Sequence, residues 1–147
     1  MSVCRLSDSG EVPFASAEVA RIFAQTPPAA RPGLLHLRCL IFEVAGKTSG
    51  AGPVKEALRW GQPAYLTAET GVGTTLRLGA PKTGGFALYA HCRTTVIATF
   101  RDRFGDSFCY QGNRAVLFSH IAEIQPDKLS LLIVHALTYH YRPDRRA

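Results

Sequence analysis

Nine residues of this chain combine reactive or binding side chains with a spacing that could assemble one site: Arg59, Trp60, Tyr65, Arg77, Arg93, Thr94, Thr95, Asn113 and Arg114. Guanidinium groups pair with phosphate or carboxylate, hydroxyls and an amide add neutral donors, and aromatic rings give a stacking surface. Thr94 and Thr95 directly precede Val96, Ile97, Phe100 and Phe104, which recur at helical spacing. They therefore stand where a helix N-terminus offers unpaired N–H groups and a partial positive charge. Together these residues suit a small anionic ligand. The competing reading is architectural: the threonines cap the helix, and the arginines face water or pair with acids. For Trp60 the architectural reading is the weightier, as a core aromatic flanked by Gly61 and Pro63 that shape the backbone.

Other chemistries are poorly served. No two of His36, His91, His120, His135 and His140 have the i, i+4 spacing of a helical zinc site. His91 and Cys92 are neighbours on an expected strand and so face opposite ways. Cys4, Cys39, Cys92 and Cys109 form no CxxC pair and read as reduced thiols, buried as small hydrophobes. No nucleophile elbow accompanies any serine or cysteine, and Gly71-Val72-Gly73-Thr74 is too short for a phosphate loop. No enzyme class and no cofactor follow from these residues.

Composition points the same way. Across 147 residues, 46% are hydrophobic and 19% charged, as in a globular domain. A net charge of +6, mostly from arginine, favours an anionic partner. There is no lysine-rich run and no strand with the aromatic–basic pattern of an RNA-binding sheet, which disfavours nucleic acid. No apolar run is long enough to cross a bilayer, and no basic region followed by an apolar core opens the chain. The expectation is a soluble cytoplasmic protein without a membrane partner.

The elements that must position the candidate residues can be read in order. Residues 1–15 read as a loose arm, 16–141 as one domain and 142–147 as a basic tail. Ser16 caps a short helix through Val19, Ile22 and Phe23 that Pro27-Pro28 ends. A second helix opens near Pro32, buries Leu34, Leu37, Ile41 and Val44, turns Arg38 and Glu43 to the other side, and stops at Gly46. Pro53 starts a turn or two of helix through Lys55, Glu56 and Leu58. Trp60 to Pro63 then forms a corner from which strands follow: 64–68, 74–79 and 86–92. After the helix at Val96, strands at 108–111 and 114–119 meet at a tight turn, Gly112-Asn113. A last helix from Pro126 buries Leu129, Leu132, Ile133, Ala136 and Leu137, with Leu131 and Val134 widening its apolar face. The expected fold is α+β, in two layers: about five antiparallel strands packed on one side by helices, in the order α-α-β-β-β-α-β-β-α.

Several stretches resemble the YdhG-like domains of unknown function found in bacteria. These are Glu56-Ala57-Leu58-Arg59-Trp60-Gly61-Gln62-Pro63-Ala64-Tyr65, Leu76-Arg77-Leu78-Gly79, Cys92-Arg93-Thr94-Thr95, Gly112-Asn113-Arg114-Ala115 and the closing Ala136-Leu137-Thr138-Tyr139-His140. The resemblance spans residues 16–140 and implies helices packed on one antiparallel sheet. Some members are described as frataxin-like iron chaperones. The resemblance thus implies, as the alternative to anion binding, iron handling or a protein-interaction adaptor. Iron chaperones of that kind gather the ion on clustered carboxylates, whereas Asp and Glu number 11 here and form no acidic stripe.

Overall fold

A computed structural model describes residues 12–141. Over these residues the chain is α+β, with one antiparallel sheet and four α-helices. Helix α1 (Ala17–Gln25) opens as the sequence predicts, the Ser16 hydroxyl accepting the Val19 N–H at 3.1 Å. Helix α2 (Arg31–Lys47) carries Pro32 in its first turn and runs through Gly46 rather than stopping there. Strands β1 (Lys55–Arg59), β2 (Gln62–Leu66), β3 (Leu76–Gly79) and β4 (Phe86–Ala90) follow. Helix α3 (Val96–Phe104) then leads to β5 (Cys109–Gln111), β6 (Ala115–Phe118) and helix α4 (Pro126–Leu137). The strand order is β1-β2-β3-β4-β6-β5, and every neighbouring pair is antiparallel.

The sheet has six strands instead of about five. The additional one is β1, in the segment where a helical turn after Pro53 is expected. Lys55, Glu56, Ala57 and Leu58 favour helix locally, but propensity is a weak prior beside a hydrogen-bonded ladder and a buried partner. Pairing with β2 sets Glu56 opposite Tyr65 and Ala57 opposite Ala64. Trp60 and Gly61 close this hairpin as a two-residue loop, with φ of 53° and 74°. Positive φ at both central residues is the type I′ requirement, matched to the twist of antiparallel strands.

One face of the sheet packs on the helices. Leu76, Leu78, Leu88 and Val116 join Leu34, Leu37 and Ile41 of α2 and Leu129, Ile133 and Leu137 of α4 in a single core. The α2 backbone comes so close to β4 that a Cβ on Gly33 would overlap the Phe86 ring. Contrary to expectation, Leu131 and Val134 lie outside this core, at 46% and 37% exposure. A helix covered from one side needs only one stripe buried, and these two positions fall on its margin.

Arg38 is the larger correction. Expected on the polar side of α2, it is 4% exposed. Its Nε and one terminal nitrogen donate to the two Glu56 oxygens at 2.6 and 2.9 Å. Its remaining donors reach the carbonyls of Val12 (2.8 Å) and Pro13 (3.0 Å), and its guanidinium lies over Phe14 and Phe42. The Ala15 N–H donates to Glu56 as well. Residues 12–15 are therefore tied down rather than loose; the rest of the expected arm, and the basic tail, lie outside the described residues. The cysteines also divide differently from expectation. Cys39 is disulfide-bonded, while Cys92 and Cys109 are free but exposed.

Candidate anion-binding face

The strand register places a continuous row of residues on the sheet face turned away from the helices: Ala57, Ala64, Arg77, Tyr89, Ala115 and Gln111. Alternation explains it, because Leu76, Leu78 and Leu88 point into the core and their neighbours must point out. Arg77 and Tyr89 thus rise side by side among alanines, which leave room beside them. Gly79 extends that room. A Cβ there would lie 2.6 Å from Gln62 Nε2 and 3.2 Å from the Tyr89 ring. Gln62 uses the space to lay its amide beside Arg77, whose guanidinium donates to Gln62 Oε1 at 2.6 Å.

The guanidinium of Arg77 is also 5.3 Å from the Trp60 ring centre and 5.4 Å from that of Tyr89, within cation–π range of both. Trp60 is 84% exposed, opposite to the expectation of a core aromatic. The two-residue loop accounts for it: a side chain at the tip of a hairpin projects past the sheet instead of onto the core.

These side chains line a cleft of about 460 Å³ together with His91, Cys92, Gln111 and Arg114. Among the described residues no acidic side chain lines it. Arg114 arrives from the β5–β6 turn, which Arg101 holds by donating to the Gly112 carbonyl and to Asn113 Oδ1, both at 2.7 Å. Among the described residues the Arg114 guanidinium makes no hydrogen bond or ion pair. His91 Nδ1 accepts the Arg93 backbone N–H at 3.0 Å, so the neutral ring carries its proton on Nε2 and can donate from there. Burial pushes the Tyr89 phenol above its ordinary value, while Arg77 and Arg114 pull against that shift. Tyr89 therefore stays a neutral hydroxyl, able to donate or accept.

Of the nine residues singled out from the sequence, three line this cleft: Trp60, Arg77 and Arg114. Tyr65 does not, being fully buried with its hydroxyl on Glu56 at 2.7 Å. Arg59 is exposed and folds back on the Leu58 carbonyl. Asn113 spends its amide oxygen on Arg101. Arg93, Thr94 and Thr95 sit at the start of α3, outside the cleft. Thr94 donates its hydroxyl to the His91 carbonyl, the Thr95 N–H donates to the Tyr139 hydroxyl, and Thr95 makes no side-chain cap. The expected pocket at that helix end is thus partly closed by Tyr139, and the arginines gather on the sheet instead.

No protein-family model matches the chain, and no curated protein or solved structure matches it.

Gln62, Tyr89, His91 and Gln111 also line the cleft, and none of them is among the nine residues singled out from the sequence. For Tyr89 the signal was present: it has the outward parity of Arg77 on the next strand. His91 and Cys92 line the cleft together, since β4 ends at Ala90 and both lie in the turn beyond it. Among the described residues no group of three or more His, Cys, Asp and Glu is placed to hold a metal ion, and no helix is long and apolar enough to cross a membrane.

Proposed function

We propose that this chain is a YdhG-like binding module that takes a small anion on the open face of its sheet. Its functional groups are the guanidiniums of Arg77 and Arg114, helped by the Nε2 donor of His91 and the Tyr89 hydroxyl. The supporting observation is the cleft of about 460 Å³ that two arginines enter and, among the described residues, no carboxylate lines. A phosphate or carboxylate entering it meets charge-assisted donors without displacing an acid already paired there. Arg77 is presented ready for use: Gln62 and the two rings hold its guanidinium, so less side-chain freedom is lost on binding. The function proposed is binding without turnover.

Calorimetric titration with inorganic phosphate and pyrophosphate tests the reading. Saturable binding at up to millimolar ligand is expected in the parent chain, and its loss in Arg77→Gln/Arg114→Gln. Absence of any saturable heat in the parent, or undiminished binding in the double variant, would overturn it.

A further inference from the structure

Trp60 is not explained by charge. A bulky residue at φ 53° is strained, because only glycine, asparagine and aspartate adopt that region with ease. The turn it occupies would be better served by asparagine before Gly61. The indole also buries almost nothing, being 84% exposed. It therefore contributes neither turn geometry nor core packing, yet it stands at the mouth of the cleft with the Arg77 guanidinium 5.3 Å from its ring centre.

We infer that the anion this face takes carries a planar heteroaromatic ring, as a nucleoside monophosphate does. This inference rests on the anion reading above. The ring stacks on the Trp60 indole, and the phosphate reaches Arg77 and Arg114. Gln111, exposed at the end of the sheet row, offers an amide donor and acceptor of the kind a heteroaromatic edge can use. A cleft of about 460 Å³ lies in the range of small-molecule sites, which suits one nucleotide. Stacking on an exposed aromatic tolerates any base, because every base presents a π-face. The site consequently selects for the presence of a ring more than for its identity.

The test is calorimetry on the full chain with AMP, ribose 5-phosphate, inorganic phosphate and an eight-nucleotide single-stranded oligonucleotide. AMP is expected to bind about fivefold or more tighter than ribose 5-phosphate, the least that one base–aromatic stack contributes. Trp60→Asn, whose backbone suits the turn, is expected to remove that advantage, so that the variant binds AMP no tighter than it binds ribose 5-phosphate. If ribose 5-phosphate binds and AMP binds no better, the aromatic inference fails while the anion reading stands. It fails in the same way if Trp60→Asn keeps the AMP advantage. If none of the phosphates binds, both fall together. An oligonucleotide binding far tighter than AMP would overturn the assignment of a single nucleotide in favour of a nucleic-acid strand.

Discussion

The Tyr65 phenol and the Glu56 carboxylate stand opposite one another on paired strands, and the phenol donates to Glu56 Oε2 at 2.7 Å. The contact closes a buried network in which Arg38, Tyr65 and the Ala15 N–H all donate to the carboxylate. Burying a charge this deeply is tolerable only when it is paired and hydrogen-bonded. The network joins α2, β1, β2 and residues 12–15 in one place, so its loss is felt across the domain.

Removing single members should therefore destabilise in graded fashion. Tyr65→Phe is expected to cost about 1.5–3 kcal/mol, the scale of a lost hydrogen bond to a charged acceptor. Arg38→Met should cost about 3–5 kcal/mol, because it strands the buried carboxylate. The paired replacement Arg38→Met/Glu56→Leu should cost less than Arg38→Met alone. Urea unfolding followed by far-ultraviolet circular dichroism measures all three.

The same network predicts two limbs in the pH dependence of stability. Burial alone would raise the Glu56 carboxyl, but the hydrogen bonds from Arg38, Tyr65 and Ala15 outweigh it and hold it below its ordinary value. A lowered carboxyl contributes stability that is whole above the unfolded-chain value, 4.5, and is lost as pH falls below it. Tyr65 is raised by burial first and by the adjacent Glu56 charge second. Its contribution is whole below the unfolded-chain value, 10.0, and is lost as pH rises beyond it. Melting temperature against pH should fall at both ends, and Tyr65→Phe should flatten the alkaline limb. An unchanged alkaline limb in that variant would contradict the assignment.

Trp60→Asn should raise stability by about 0.5–1 kcal/mol, since it relieves a strained φ at a position outside the hydrophobic core. A gain in melting temperature, with weaker nucleotide binding in the same variant, would mark Trp60 as a residue kept at a cost to the fold. A loss of stability would show that the indole contributes more to the hairpin than its exposure implies.

Arg101→Ala is expected to weaken phosphate binding about three- to tenfold while changing the melting temperature little. Arg101 touches the Gly112 carbonyl and the Asn113 amide at the surface, so its removal loosens the turn that presents Arg114 without opening the core. Titration with inorganic phosphate beside a thermal melt separates the two effects.

Much of the fold was legible because its signals are local and repeated. Ser16, Pro27 and Pro32 mark helix ends, and Leu76-Arg77-Leu78 alternates as a half-buried strand does. The misreadings share a physical cause. Lys55–Arg59 favours helix in isolation and becomes a strand only because β2 lies beside it. Arg38 and Tyr65 look available for solvent or ligand, and only the fold reveals that Glu56 waits for both. The candidate site was partly legible for the same reason: residue types showed charge and aromaticity, but convergence depends on register. Arg77 and Tyr89, twelve positions apart in the chain, meet through the β3–β4 pairing. Thr94 and Thr95 carried a sound local argument for a helix-end site, which a distant residue, Tyr139, partly forecloses.

The placement of the single tryptophan outside the core has a spectroscopic consequence. The chain's one indole fluorophore is already in water when the protein is folded, so denaturation will shift its emission little. A melt recorded by intrinsic fluorescence should look nearly flat across a transition that circular dichroism shows as steep. The same probe, blind to unfolding, will respond to whatever is laid against the sheet face, and thus reports occupancy of the cleft almost free of interference from stability.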